Sequence, residues 1–182
     1  MVGAPEFDFC KTFPYERSTS PPNDFSAGMA LNAAYIRPVV AAVDNLFATM
    51  IGIPASAGKP GFKRDKLPSH DITSRIDLSG AMSGAICVSM SRELSLVLSS
   101  RLLGEDKCAL DPDCMDAIKE FANMIVGNAK SEFPDDRITI TPPTLHLEPS
   151  PGIYPQGVMV VSVPFETPGG SFTVDLALKA GG

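Results

Sequence analysis

Four residues that could take part in chemistry recur at the spacing of one helix face. They are Asp116, Glu120, Asn123 and Gly127. Two carboxylates, a carboxamide and a bare backbone position therefore share one ridge. A carboxamide both donates and accepts hydrogen bonds while staying neutral. The ridge holds no nucleophile, no metal-ligand cluster and no glycine-rich phosphate loop. Its residues are suited to positioning a water molecule or a partner.

Residues 113–132 predict the amphipathic helix that must carry this ridge. Apolar residues recur on the opposite side, at Met115, Ile118, Phe121, Ala122, Ile125 and Ala129. Asp111 or Asp113 is suited to capping the first turn. Glycine costs about 0.8–1.0 kcal/mol relative to alanine inside a helix. Because Gly127 lies on the side without inward packing, we expect something to approach it from outside.

A polar ridge also has a simpler interpretation. Glu120 and Asn123 are one turn apart, and two polar residues at that spacing occur on many solvated helix faces. Asp116 lies close to the start of the helix, where an acid interacts favourably with the helix dipole. The pattern alone leaves both interpretations open.

Composition limits the class of protein. The chain has 182 residues, of which 44% are hydrophobic, so we expect one domain with a single sizeable core. The formal net charge is -6 and the basic residues are scattered, which argues against nucleic acid as a partner. No continuous apolar run reaches the roughly 18 residues of a membrane helix, and residues 1–25 lack a secretory signal pattern. We therefore expect a cytoplasmic protein without membrane insertion.

Cysteines and histidines are few. The four cysteines, which form no C-x-x-C motif, are Cys10, Cys87, Cys108 and Cys114. This spacing is typical of free thiols in a cytosolic protein. The two histidines, His70 and His146, are too few for a zinc site or a histidine-based catalytic triad. We expect no metal site and predict that both lie in loops or strands.

The N-terminal part divides into a tail and a domain. Four prolines interrupt residues 1–25, so we predict an irregular tail there. We expect residues 26–182 to form the domain. Residues 26–35 are rich in alanine and suited to a helix, but Pro38 favours a helix start at that point. The apolar stripe that follows ends at Gly52. Residues 54–69 are rich in glycine, proline and lysine and predict a loop.

The remaining pattern predicts two strands, two helices and then three strands. Alternating apolar residues on both sides of residues 80–84 indicate a hairpin. Ser91 is suited to capping a helix that ends at Gly104, and the helix of residues 113–132 follows. Beyond Pro134 the alternation becomes that of strands. This order, helix, two strands, two helices and three strands, predicts an α+β fold with helices packed on a mainly antiparallel sheet.

The ridge residues belong to the string Asp116-x-x-x-Glu120-x-x-Asn123-x-x-x-Gly127-Asn128-Ala129-Lys130. This string resembles the active-site helix of the CheC/CheX/FliY chemotaxis phosphatases, and the run NMIVGNAK is most similar to the CheX type. That family has a proline in the following strand, a place that Pro142 or Pro143 would take here, at a shorter distance from Asn123 than is usual in the family. CheC and FliY relatives have two copies of the site, whereas this chain has one. The resemblance covers residues 31–179.

The resemblance implies a phosphatase that acts on the aspartyl phosphate of a CheY-like response regulator. Asn123 would hold the attacking water, and Glu120 would pair with the cation that the receiver domain carries beside its phosphate. Asp116 and Gly127 would contribute to docking. The magnesium would come with the receiver, so we expect no cofactor of the chain's own. The CheX relatives also imply a homodimer, for which residues 158–162 and 172–178 offer apolar strand edges.

Two other functions remain open. The first is a non-catalytic module of the same fold that docks on a receiver domain or the flagellar switch. Retention of both Glu120 and Asn123 argues against it, because a pure docking module has no need of the carboxamide. The second is an enzyme acting alone on a small phosphate ester, which the exposed position of these residues disfavours.

Overall fold

A computed structural model describes the backbone of residues 23–181 and the side chains of residues 34–181. Most of the predicted irregular tail, residues 1–25, lies outside this range. Its last three residues, 23–25, belong to the first helix. The described part of the chain contains helices on one side of a single antiparallel sheet, so the predicted α+β class is confirmed.

Within residues 23–181, three α-helices contribute to the fold: α1 (Asn23–Leu46), α2 (Arg92–Leu103) and α3 (Pro112–Lys130). The prediction that the first helix starts at Pro38 is wrong, because α1 runs through this residue. Tyr35, Ile36 and Val39 are all buried around it, and this packing offsets the cost of a proline inside a helix. A π-helical turn, Phe47–Ile51, extends α1 and ends at Gly52, as the sequence predicts.

In the described part of the chain, eight strands form one sheet. They are β1 (Ser56–Ala57), β2 (Gly61–Lys63), β3 (Ile72–Gly80), β4 (Met82–Met90), β5 (Ile138–Ile140), β6 (Thr144–His146), β7 (Val160–Thr167) and β8 (Gly170–Ala180). The main order is β1-β7-β8-β4-β3-β5, with β2 also paired to β7 and β6 to β3. The predicted loop of residues 54–69 thus contains two short strands, and four strands rather than three follow α3.

The β3–β4 hairpin is the predicted one, and its strand register explains why residue 84 is a glycine. Ile76 lies opposite Ile86, and Leu78 lies opposite Gly84. Gly84 has φ +142°, and a Cβ there would lie 2.0 Å from the carbonyl oxygen of Ala177 in β8. This strand therefore approaches β8 too closely for any side chain at position 84.

The main core lies between the three helices and the sheet. Val39 and Val43 of α1, Leu94 and Leu98 of α2, and Phe121 of α3 are all fully buried in it. β4 and β8 supply the sheet side through alternate residues, because successive strand side chains point to opposite faces. The sheet thus fixes the side of α3 that faces inward, and with it the side that faces out.

The other face of the sheet carries a smaller core. Its buried apolar residues are Ala85, Cys87, Ile153, Tyr154, Val158, Val160 and Ala177. Asp175 of β8 is fully buried on the same face and accepts hydrogen bonds from Tyr154 and Ser162. The segment between β6 and β7 packs on this face through Ile153, Tyr154 and Val158. The sheet is thus covered by helices on one side and by loops on the other.

The strand edges differ from the expected ones. Residues 172–178 lie in β8, which is paired on both sides, with β4 and with β7. The other edge of β7 pairs with β1 and β2. The prediction that these two segments offer free edges for a partner is therefore wrong. β8 lies between β4 and β7, and the short strands within residues 54–69, which the sequence did not predict, occupy the other edge of β7. The edges of the described sheet are β1 with β2, and β5 with β6.

One helical segment of the described chain, Ala34–Ile51, is long and apolar enough to cross a membrane by length and mean hydropathy alone. Half of this segment is buried inside the protein. Val39, Val43 and Leu46 are among its buried residues and pack in the main core. In this fold the segment serves as a core helix, for which the same apolar composition is expected.

Candidate functional site on helix α3

Helix α3 begins where the sequence predicts. Asp111 is its N-cap and accepts a hydrogen bond from the backbone N–H of Cys114 at 2.8 Å, and Pro112 occupies the first helical position. The backbone N–H of Cys114, and then the ammonium of Lys107, hold the pKa of Asp111 below its usual value. The helix ends at Lys130, two residues before the predicted end.

The buried side of α3 is broader than the predicted stripe. Ile118, Phe121, Ala122, Ile125 and Ala129 are buried as expected, whereas Met115 is only half-buried. Three further residues are buried as well, namely Cys114, Ala117 and Val126. A wide apolar face that packs on both α1 and the sheet holds the helix in one rotation about its axis.

Phe121 is the central anchor of this face. Its ring lies edge-on to that of Phe47, with ring centroids 5.9 Å apart, and edge-on to that of Phe172 at 6.0 Å. The rings of Phe47 and Phe172 are themselves stacked at 5.6 Å. Edge-to-face and offset stacking are the favoured arrangements of aromatic pairs. Because Phe121 directly follows Glu120, the aromatic cluster fixes the helix at the level of the candidate site.

All four predicted ridge residues lie on the outward side of α3. Asp116 and Glu120 are exposed, and Asn123 and Gly127 are half-buried. The carboxylate of Asp116 forms an ion pair with Lys119 at 2.6 Å, one turn further along the helix. Asp116 thus has a local partner, and its exposed pair contributes little to stability.

Glu120 and Asn123 differ from Asp116 in having no such local partner. Within residues 34–181, neither side chain forms a hydrogen bond or an ion pair with another protein group. Their carboxylate and carboxamide are therefore available to an external group. Glu120 and Asn123 are three positions apart, so their side chains are neighbours on the helix surface and one ligand can contact both.

Gly127 completes the ridge without any internal need for glycine. It lies inside a helix, and a Cβ added there would meet no atom within 4 Å. Neither backbone strain nor close packing among the described residues therefore explains it. Because Gly127 has no side chain, nothing protrudes from the ridge on the C-terminal side of Asn123.

The structure reveals a lysine that the sequence analysis missed. The Nζ of Lys107 lies 2.6 Å from Glu105 Oε1, 3.0 Å from Asp111 Oδ2 and 3.7 Å from Asp113 Oδ2. Its backbone N–H donates to Ser100 Oγ of α2 at 2.8 Å. This residue joins the end of α2 to the start of α3. The acidic link formed by residues 105–113 is the sequence signal that could have identified this cation.

No metal centre accompanies the ridge. Across the described part of the chain, no group of three histidine, cysteine, aspartate or glutamate residues is arranged to hold a metal ion. The described cysteines, Cys87, Cys108 and Cys114, are free. As predicted, His70 lies in a loop and His146 in a strand. The prolines expected after α3, Pro142 and Pro143, lie between β5 and β6.

Taken together, the geometry defines a rigid α+β scaffold that presents an unpartnered carboxylate and carboxamide on one helix. Residues 72–166, slightly more than half of the chain, match the family model described as chemotaxis phosphatase CheX. The chain therefore belongs to the CheX family of chemotaxis phosphatases, and the resemblance inferred from α3 is confirmed.

Individual relatives agree with this family. The chain is 28% identical, over 158 residues, to the CheY-P phosphatase CheX of Thermotoga maritima; the match covers 84% of this chain and all of the relative. The crystal structure of a chemotaxis protein CheX from Desulfovibrio desulfuricans is similar with a TM-score of 0.71 and 25% identity, covering 80% of this chain and 98% of that one.

A second similar structure contains a partner. It is the CheX–CheY–BeF3–Mg2+ complex from Borrelia burgdorferi, with a TM-score of 0.69 and 26% identity, covering 80% of this chain and 97% of the other. Similarity in fold extends to Thermotoga maritima FliY, with a TM-score of 0.57 and 14% identity over 87% of this chain and 91% of that one. At that identity the similarity shows the fold alone.

Proposed function

We propose that this protein removes the phosphoryl group from the phospho-aspartate of a CheY-like response regulator. The observation that carries the proposal is the pair Glu120 and Asn123, adjacent on an outward helix face and unpartnered within the described residues. Membership of the CheX family, and the CheY-P phosphatase name of the Thermotoga maritima relative, support the same substrate.

The reaction needs a water molecule placed in line with the bond that breaks. The water oxygen attacks phosphorus, the bond between phosphorus and the aspartyl oxygen breaks, and the products are inorganic phosphate and a free aspartate carboxylate. The attacking water loses its proton to solvent or to the phosphate. An acyl phosphate is already activated, so positioning and electrostatics supply much of the catalysis.

Asn123 is the residue suited to hold this water. Its carboxamide oxygen accepts a hydrogen bond from the water, and its NH2 group donates to an oxygen of the phosphoryl group. Because the carboxamide is neutral, it approaches the anionic phosphoryl group without the repulsion that a carboxylate would cause. The fixed rotation of α3 makes this placement possible without loss of much additional entropy.

Glu120 is assigned to docking at the reaction centre. Its carboxylate is exposed and has no partner among the described residues, so it is free to pair with a cation of the receiver. Asp116 is a second docking acid in this proposal, and its ion pair with Lys119 must break before it pairs with the receiver. Gly127 provides the flat surface that lets the receiver approach Asn123.

Magnesium belongs to the receiver in this proposal. No cluster of ligands in residues 34–181 is arranged to hold it, and the related complex from Borrelia burgdorferi contains CheY, BeF3 and Mg2+ together. When bound beside the phosphate, the ion neutralises charge that develops on the phosphoryl oxygens. Calorimetry that detects a tight magnesium site on the free protein would overturn this assignment.

We also infer a cytoplasmic homodimer. A response regulator is a cytoplasmic substrate, which places its phosphatase in the same compartment. With β7 and β8 enclosed, the edges formed by β1 with β2 and by β5 with β6 are the ones available for a second copy. Light scattering at micromolar concentration should give twice 19.3 kDa, and a single 19.3 kDa mass would contradict the dimer.

A phosphate-release assay tests the function. A receiver carrying labelled phospho-aspartate is incubated with magnesium, with and without this protein, and release of phosphate is followed in time. Faster release with the protein present supports a phosphatase. Binding of the phosphorylated receiver without faster release would instead favour the non-catalytic docking module.

A further inference from the structure

A groove of about 600 Å³ lies on the loop-covered face of the sheet, away from the helices and from α3. One wall is formed by the segment that contains β2, and the floor by β7 and β8. Thr173 and Ser162 contribute from the floor, and Lys59, Lys63 and Arg64 from the wall. The volume falls in the range typical of small-molecule sites.

The groove is positively charged in a chain whose formal net charge is -6. Lys63 is neutralised by the buried carboxylate of Asp175, 3.2 Å away. Lys59 and Arg64 are exposed and form no ion pair within residues 34–181, whereas Asp65 is the single acid in the lining. The balance leaves an excess of positive charge, which favours an anion.

A buried hydroxyl in the same groove has no partner. Thr173 is 6% exposed, and its Oγ1 makes no hydrogen bond to any described group. Its neighbours across the sheet do not supply one: Pro164 has no polar side chain, and the hydroxyl of Ser89 is engaged with Thr73 and His70. An unsatisfied buried hydroxyl is costly and is expected where an absent group completes it.

The floor beneath these groups is already organised. Lys63 Nζ donates to Ser69 Oγ at 2.6 Å as well as to Asp175. Ser162 Oγ donates to Asp175 at 2.5 Å, and the hydroxyl of Tyr154 donates to the same carboxylate. These bonds hold the wall segment against the sheet. The backbone that carries Lys59 and Arg64 is therefore held in place beside the groove, although their own side chains are ordered only when a ligand binds.

We propose that this groove binds the phosphate group of a small phosphorylated molecule. Lys59 and Arg64 pair with phosphate oxygens, for which the planar guanidinium offers two parallel donors, and a small shift of Thr173 lets its hydroxyl donate to a third oxygen. A carboxylate carries less charge than phosphate and holds its two oxygens in one plane, so it matches donors from three directions less well than phosphate does. The remaining volume accommodates the organic part of the ligand.

The test is an amide NMR titration of the full chain at constant ionic strength with glycerol 3-phosphate, inorganic phosphate or acetate. Both phosphates should shift the amides of Lys59, residues 61–65 and Thr173 with millimolar affinity, and tighter binding of the ester would identify an organic phosphate as the ligand. Equal shifts with acetate, or no saturable shifts with either phosphate, would overturn the proposal.

Variants separate a site from general charge attraction. The double variant Lys59→Ala/Arg64→Ala should weaken phosphate binding by at least about tenfold, the effect of losing one charged hydrogen bond. Lys66→Ala removes an exposed cation of the same segment that does not line the groove, and should bind normally. Equal weakening by Lys66→Ala would indicate nonspecific attraction and refute the site.

Thr173→Val provides an independent measurement. It keeps the shape of the side chain and removes the unpartnered hydroxyl, so the melting temperature should stay the same or rise. Phosphate binding should weaken in the same variant. A stable variant with unchanged phosphate affinity would contradict the role of this hydroxyl in the groove.

Discussion

The carboxylate of Asp111 accepts a 2.8 Å hydrogen bond from the backbone N–H of Cys114, and this bond fixes the start of the helix that carries the candidate site. The same carboxylate contacts Lys107 at 3.0 Å. Both interactions favour the charged form, so the pKa of Asp111 lies below its usual value in the folded protein.

Acid should therefore weaken the fold partly through Asp111. Because the folded-state pKa is lowered, the stabilisation is complete above the usual value near about pH 4 and is lost as the pH falls through the lowered pKa. Asp111→Asn keeps a capping oxygen but does not titrate there. Urea unfolding at a series of pH values should show a smaller loss of stability below pH 4 for this variant than for the parent.

Asp106→Asn is the matched control, since Asp106 is an exposed acid of the same link. It should retain the acid dependence of the parent. An unchanged profile for Asp111→Asn, within the error of the Asp106→Asn profile, would show that the cap contributes nothing to acid unfolding.

The parts of the fold that follow local rules were predictable. Ser91 and Asp111 cap the helices assigned to them, and Gly104 ends α2 with φ +71°. Capping and left-handed helix ends depend on a few adjacent residues, so the sequence alone reveals them. The ridge of Glu120 and Asn123 was predictable for the same reason, because helical periodicity decides which residues share a face.

The parts that depend on distant contacts were not predictable. Pro38 locally favours the start of a helix. The buried residues on both sides of it nevertheless stabilise a helix that continues past this proline. The pairing of β7 with β1 and β2 joins residues about a hundred positions apart. Asp175 stands in an apolar run of β8, and nothing in the sequence identifies Lys63 and Tyr154 as its partners.

Gly127 should tolerate substitution in the free protein. A side chain there meets open space, and both Gly127→Ala and Gly127→Leu should raise helix stability by roughly 0.5–1 kcal/mol. Only the leucine should obstruct the receiver. Chemical denaturation measures the first effect, and titration with a receiver held in its BeF3 and magnesium form measures the second.

Gly127→Ala is the control for bulk, because it adds helix propensity with a single methyl group. A leucine variant that binds the receiver as tightly as the alanine variant would remove Gly127 from the docking surface. The stability measurement guards against a loss of binding caused by unfolding.

Glu120→Gln should weaken association with the phosphorylated receiver. The change removes the charge of the proposed pair with the receiver's cation while keeping the size of the side chain, and the expected loss is about tenfold. The rate at saturating receiver should change less than the affinity. Binding to the BeF3 form of the receiver and steady-state phosphate release give the two quantities.

Glu132→Gln is the matched substitution at an exposed glutamate just beyond α3, away from the ridge. It should leave the affinity within about twofold, as expected of an isolated surface charge. Equal loss of affinity in both variants would assign the effect to overall charge rather than to a specific pair.

Asn123 carries the central claim, since no other ridge residue offers both a donor and an acceptor. Asn123→Ala should lower the rate of phosphate release from bound phospho-receiver by about 10² to 10³, the usual cost of losing one preorganised polar group. Its affinity for the BeF3 form should stay close to that of the parent. Asn128→Ala makes the same substitution at an exposed position of the same helix and should retain the parent rate.

The decisive measurement is single-turnover phosphate release from a saturated complex, compared between the parent, Asn123→Ala and Asn128→Ala. Water positioning by Asn123 predicts slow release in Asn123→Ala alone, with binding preserved. Release by Asn123→Ala as fast as by the parent would contradict this role and leave the ridge as a docking surface.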